Sequence, residues 1–226
     1  MLFRSPAPAD LRRLVALGLQ GQPKQLPAWL LYDDEGSRLF ELICEQPEYS
    51  LTRVETALLA QRAPAIAASL GPGCLVEFGA GSARKVSPLL RAMRQAASAP
   101  SLAGGPSDAP SQAEPTSTSA GAEARLGREA SAGSPCASGA GVLDRLAYVA
   151  LDISAAHLAA ACQRLAAEHP TLPILGICCD YSALDALPDH PLLRQRRLGF
   201  SPGSSIGNFA GPEAVALLRR LRRLLG

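Results

Sequence analysis

The sequence predicts an α/β fold, a doubly wound, Rossmann-like parallel sheet preceded by a helical segment. Three observations predict it. Cys74–Phe78, Ala147–Leu151 and Leu172–Cys178 are short, nearly continuous apolar runs, the mark of strands buried on both faces. Helical apolar spacing follows the first two of them, so strands alternate with helices. Each run also delivers a glycine-rich or acidic stretch at its carboxyl end, where open α/β sheets bind ligands.

The helical segment comes first. Leu11, Leu14, Val15 and Leu19 recur at helical spacing, weakened by Gly18 and ended by Pro23 and Pro27. Gly36 and Ser37 suggest a turn and an N-cap, with Leu39, Phe40 and Ile43 on one face of a helix that Pro47 ends. Thr52 with Glu55 three residues on reads as a capping box opening another helix towards Ala68, with a break or kink at Pro64. Gly71-Pro72-Gly73 then marks a boundary, so residues 1–70 and 71–226 are expected as two parts.

In the second part, Cys74–Phe78 runs into Gly79-Ala80-Gly81-Ser82 and a helix carrying Val86, Leu89, Leu90 and Met93. Residues 98–141 are dominated by Ala, Ser, Gly and Pro and hold almost no large apolar side chain. They are expected as a disordered insertion, since they cannot bury enough surface to offset their ordering entropy. Ala147–Leu151 ends at Asp152, and Ser154 is placed to cap the helix of Leu158, Ala161 and Leu165. Leu172–Cys178 delivers Cys179-Asp180-Tyr181; a weaker fourth run, Arg197–Phe200, leads to Gly203–Asn208 and a last helix, Pro212–Leu225. With only about four strands and a terminal glycine, the sheet is expected to be incomplete and the chain truncated at its C-terminal end.

Composition narrows the function classes. The 226 residues suffice for a real core, and a net charge of +2 gives no electrostatic case for nucleic acid or a membrane surface. The arginines at 194–197 and 219–223 read as solvated faces. Six cysteines include no Cys-x-x-Cys pair and none at zinc-like spacing to a histidine, so they are expected as free thiols, with no metal. His169 and His190 each precede proline and read as loop residues. No apolar run reaches the roughly 18–20 residues that span a bilayer. A cytoplasmic protein, most simply a monomer, is expected.

The strand ends carry the candidate chemistry. Gly79 and Gly81 allow a tight turn and close ligand approach, but Arg84 stands where a dinucleotide fingerprint needs a third glycine. The loop is either a plain strand-to-helix turn or a site for a ligand of modest charge such as S-adenosylmethionine; Glu77 beside it suits an ammonium or sulfonium neighbourhood. Asp152 can accept both ribose hydroxyls of an adenosine, or simply cap the following helix. Asp180 either reads an adenine amino group, with Tyr181 on the ring, or is an ordinary loop aspartate.

Four stretches together carry a family resemblance: Leu26 to Phe40, Pro47 to Glu55, Val76 to Ser82 and Gly203 to Asn208. They resemble the L-histidine Nα-methyltransferases of ergothioneine biosynthesis over nearly the whole chain except the insertion. Ser50-Leu51 departs from the family's usual Tyr-Pro, and Ala80 from a frequent serine. The resemblance implies transfer of three methyl groups from S-adenosylmethionine to the α-amino nitrogen of histidine, giving hercynine. It implies Gly79, Lys85, Asp152, Asp180 and Tyr181 as donor contacts. Tyr32, Tyr49, Gly203 and Asn208 are implied as the histidine-binding set, with Tyr49 and Asn208 catalytic, beside the amino group. It makes residues 1–70 the substrate side, and places the imidazole-reading residues beyond position 226. Two other readings stay open: a ligand-binding fragment without turnover, and a methyltransferase for another amine.

Overall fold

The computed structural model describes residues 2–3, 8–98 and 146–226. Beyond Ser98, the insertion expected at 98–141 lies outside these residues, as do Cys136 and Leu143. In chain order the elements are β1 (Leu2–Phe3), α1 (Pro8–Gln20), α2 (Asp34–Glu45), α3 (Leu51–Leu70), β2 (Cys74–Phe78), α4 (Ser87–Ser98), β3 (Ala147–Asp152), α5 (Ala155–Glu168), β4 (Ile174–Cys178), β5 (Arg197–Phe200) and α6 (Gly211–Leu225).

All strands pair in parallel, in the order β1-β4-β3-β2-β5. Val76 lies opposite Val149 on one side and Gly199 on the other, so β2 and β3 sit at the centre of the sheet. Their two-sided burial explains why they read as unbroken apolar runs. One face, with Leu75, Tyr148 and Ala150, packs under Ala63 and Ala67 of α3, Leu89 and Met93 of α4, and Leu158 and Leu165 of α5. The other, with Val76, Val149 and Leu151, packs on Leu217, Leu221 and Leu224 of α6. Helices therefore cover both faces, as expected of a doubly wound sheet, and the four longer strands are those read from the sequence. The two-residue β1 was not foreseen, because two residues are too few for any periodicity.

Several local expectations are corrected. Helix α2 starts before Gly36: Asp33 is its N-cap, and its Oδ1 accepts from the Gly36 amide at 2.7 Å. Gly36 serves close packing instead, since a Cβ there would lie 1.9 Å from the Leu31 carbonyl oxygen. The Thr52–Glu55 capping box does not form. Ser50 is the N-cap of α3 and makes no side-chain cap bond, while Glu55 turns away from the helix end. Pro64 does not break α3, which runs unbroken from Leu51 to Leu70. Buried Ala63 and Ala67 hold the helix on the core across the missing amide, an instance of packing overriding propensity.

Ser154 does sit at the N-cap of α5, but its hydroxyl donates to Asp34 Oδ1 at 2.7 Å, tying α2 to the sheet domain. His169 is not an open loop residue: it is buried at the C-terminal end of α5. Ser87 Oγ lies 3.4 Å from its Nε2 and the Arg94 guanidinium 3.3 Å from its Nδ1. His190 caps a 3-10 turn, Pro191–Leu193, by accepting from the Leu192 amide.

Candidate functional site

A cleft of about 1670 Å³ opens at the carboxyl ends of β2, β3, β4 and β5, with α2, α3 and the 28–32 turn as its far wall. Single-ligand pockets are typically about 300–1,000 Å³. This cleft has room for a donor and an acceptor side by side. All the residues named from the sequence, from Tyr32 and Tyr49 to Gly203 and Asn208, line it.

The sheet side is built on two aspartates. β3 ends at Asp152, whose Oδ2 accepts from the Gly81 amide at 2.8 Å and whose Oδ1 accepts from the Ser154 amide at 3.0 Å. The carboxylate thus shapes the glycine loop and starts α5 at once, so both of its sequence readings are compatible. A carboxylate has about four acceptor positions. Two remain, enough for a vicinal diol. Gly79 and Gly81 both take left-handed φ values, 74° and 51°, which bends the loop over the ends of the strands. A Cβ at Gly79 would lie 3.4 Å from the Tyr181 hydroxyl. Tyr181 in turn meets Phe78 edge-on, with ring centroids 5.9 Å apart, and burial pushes its hydroxyl above the usual tyrosine range. Asp180 uses Oδ1 alone to accept from the Ser182 amide and hydroxyl, at 2.9 and 2.6 Å.

Glu77 is fully buried on β2 and accepts a short hydrogen bond from the Tyr148 hydroxyl. Burial dominates its titration and pushes its carboxyl up to about 8, against the opposing pull of Tyr148 and the Lys85 ammonium. At neutral pH the acid is therefore mainly protonated. A cationic ligand nearby would favour ionisation.

The helical wall carries the aromatic residues. Phe40 on α2 stands between Tyr32 and Tyr49, edge-on to both, at centroid distances of 6.5 and 6.0 Å. Tyr49 sits in the short connection from α2 to α3, and Arg53 ties that connection down. Its guanidinium donates to the carbonyls of Gln46 and Pro47, both at 2.6 Å, and of Tyr49 at 3.0 Å. Opposite, Asn208 ends the 3-10 turn Ser205–Asn208, with its side chain exposed to the cleft.

Sequence reasoning missed Glu55 as a site residue. Its Oε2 pairs with Lys85 Nζ at 2.6 Å and its Oε1 accepts from the Gly203 amide. Glu41 was missed too; its carboxylate lies 3.7 Å from both Arg84 and His157. In one dimension Glu55 was visible through its spacing with Thr52, which points to a cap, and as the last residue of the Pro47–Glu55 stretch, which gave it no role of its own. Among the described residues, no group of three or more His, Cys, Asp or Glu is placed to hold a metal ion.

Taken together, fold and cleft define a Rossmann-like methyltransferase domain. Its carboxyl-edge site pairs acidic strand ends with a separate aromatic wall. The model of the histidine-specific, S-adenosylmethionine-dependent methyltransferase family matches residues 11–103 and 137–226, and the chain belongs to that family. A histidine N-alpha-methyltransferase of Mycolicibacterium smegmatis is 44% identical over 95 residues, which is 42% of this chain and 30% of that protein. The enzyme of the same name from Mycobacterium tuberculosis is 44% identical over 84 residues, 37% of this chain and 26% of its own length. Ergothioneine biosynthesis protein 1 of Neurospora crassa is 41% identical over 78 residues, 34% of this chain and 9% of the relative. The matched stretches thus span less than a third of each curated relative.

Proposed function

We propose that this chain is an S-adenosylmethionine-dependent N-methyltransferase that trimethylates the α-amino group of L-histidine to hercynine, a step of ergothioneine biosynthesis. The observation that carries this is the shared cleft. Two strand-end carboxylates with spare acceptor capacity line it at the sheet's carboxyl edge, Asn208 lines it from the loop after β5, and Tyr49 lines it from the helical wall. Asp152 would accept the ribose hydroxyls, Asp180 the adenine amino group, and Gly79, Lys85 and Tyr181 would complete the donor pocket. Residues 1–70 form the acceptor side, with Tyr32, Tyr49, Gly203 and Asn208 around the amine.

The bound donor supplies a methyl group on a positively charged sulfur. The chain's own part is positioning, the main requirement of an in-line displacement. The attacking amine must be neutral. The Tyr49 hydroxyl and the Asn208 amide oxygen can orient its lone pair towards the donor. They would do so by accepting hydrogen bonds from the amine's N–H groups while it has them. Each transfer would form an N–CH3 bond as an S–CH3 bond breaks, with one proton lost from the nitrogen to solvent per turn, so no strong base is needed. Free thiols at all five described cysteines support a cytoplasmic setting.

The test is calorimetric titration of S-adenosylhomocysteine into the protein, with mass-spectrometric detection of mono-, di- and trimethylated histidine. Asp152→Ala is expected to weaken the nucleoside roughly tenfold, about 1.4 kcal/mol. Failure of the parent to bind it, or unchanged affinity in the variant, would overturn the assignment.

A further inference from the structure

We propose that Glu55 is a positioning residue that joins the two sides of the cleft, holding Lys85 for the donor and the Gly203 loop for the acceptor from one helix. The inference rests on the reading above for what the two sides bind, and on the structure alone for the joint itself.

Each carboxylate oxygen has its own partner. Oε2 takes the Lys85 ammonium at 2.6 Å, and Oε1 takes the Gly203 amide. Lys85 follows the glycine loop after β2, and Gly203 lies in the loop after β5. Neither loop belongs to the helical segment, yet both are fixed to α3, a twenty-residue helix anchored in the core by Ala63 and Ala67. Lys85 and Glu55 side chains are only 23% and 25% exposed. Removing either partner leaves a partly desolvated charge, which a surface pair would not. The third side of the joint closes directly. Gly203 has φ +85°, and a Cβ there would stand 3.2 Å from Lys85 Nζ. A side chain at 203 would therefore press on the lysine head and sit in a left-handed backbone conformation that favours glycine.

No local role accounts for the carboxylate. Glu55 has the spacing of a capping residue, yet α3 begins without a side-chain cap, and Glu55 spends both oxygens on distant loops. The two arms separate by substitution. Glutamine keeps an oxygen for the Gly203 amide but loses the charge that orients Lys85; alanine loses both.

The experiment combines ligand binding with a readout that needs no ligand. S-adenosylhomocysteine is titrated into the parent, Glu55→Gln, Lys85→Met and the double variant. Glu55→Gln is expected to bind five- to tenfold more weakly, and the double variant no more weakly than Lys85→Met alone, because Glu55 acts through the lysine. The KM for histidine is expected to stay near the parental value in Glu55→Gln and to rise severalfold in Glu55→Ala. Hydrogen exchange at the Gly203 amide is followed in parallel. Protection is expected in the parent, largely retained in Gln and lost in Ala.

An unprotected Gly203 amide in the parent, equal protection in Glu55→Ala, or fully additive losses in the double variant would overturn the proposal. If the parent itself bound no S-adenosylhomocysteine while Gly203 protection still fell in Glu55→Ala, the methyltransferase reading would fail and the joint would stand.

Discussion

At the scale of single residues, the cleft depends on side chains whose hydrogen bonds go to the chain's own backbone. Arg53 holds three carbonyls of one short stretch, those of Gln46, Pro47 and Tyr49, and so sets where the Tyr49 ring emerges. A guanidinium fork can reach all three at once, whereas an ammonium is a single point. Arg53→Lys is expected to lose at least one charge-assisted bond, about 2 kcal/mol. The loss should appear as a fall of up to roughly thirtyfold in kcat/KM for the amine, with S-adenosylhomocysteine affinity unchanged. A matching loss of nucleoside affinity would show that Arg53 serves the whole fold instead. The residues at strand ends, Gly79, Asp152 and Asp180, were legible because an α/β sheet fixes where such ends point. Tyr49 and Asn208 came from the family resemblance. Glu55 and Arg53 were not legible as site residues, since their partners are carbonyls, amides and a lysine whose proximity only the folded chain creates.

At the scale of elements, sequence reading did best where burial imposes a pattern. β2 to β5 were placed within two residues at each end because their apolar runs are bounded by glycine, proline or aspartate. Helix starts fared worse. Asp33, Gly36 and Ser37 all lie within one turn, and choosing among them as cap depends on whether the Leu31 carbonyl crowds the helix. It does, which gives a sharp expectation. In Gly36→Ala the new methyl would meet a backbone oxygen at 1.9 Å, and backbone cannot swing aside as a side chain does. The first turn of α2 and the 28–32 turn must part, carrying Tyr32 with them. A loss of about 2–3 kcal/mol in urea unfolding is expected, in the range of overpacked cores, with weakened amine binding. Unchanged stability would mean that the turn shifts freely and that Gly36 is incidental.

At the scale of the whole molecule, two buried acid–base groups on the same face of the sheet pull stability in opposite directions with pH. Glu77 faces Tyr148, Lys85, Asp152 and Glu55, and burial raises its folded pKa from 4.5 to about 8. The folded state then binds the extra proton. Its contribution is complete below about 4.5 and is lost as pH rises through about 8, with a slope of at most roughly 1.4 kcal/mol per pH unit. His169 behaves in the reverse sense. Burial first, then the Arg94 and Arg91 charges, lower its pKa below 6.5, against the pull of Glu168. Its Nδ1 accepts from Arg94, so protonation there would break the bond and add a third positive charge beside two arginines. That contribution is present above 6.5 and is lost as pH falls through the depressed folded value. Urea midpoints measured from pH 5 to 9 should therefore decline from about pH 6.5 towards 8 in the parent, where Glu77 alone of the two titrates, and Glu77→Gln should flatten that alkaline decline. Below 6.5, where the two groups oppose each other, the same variant should steepen the loss on acidification. His169→Gln should act only below about 6.5, where it removes the loss on acidification and leaves the opposing gain from Glu77. A parent whose alkaline decline survives Glu77→Gln would locate the titrating group elsewhere. It would also remove the buried acid as the counter-charge that a sulfonium ligand would ionise.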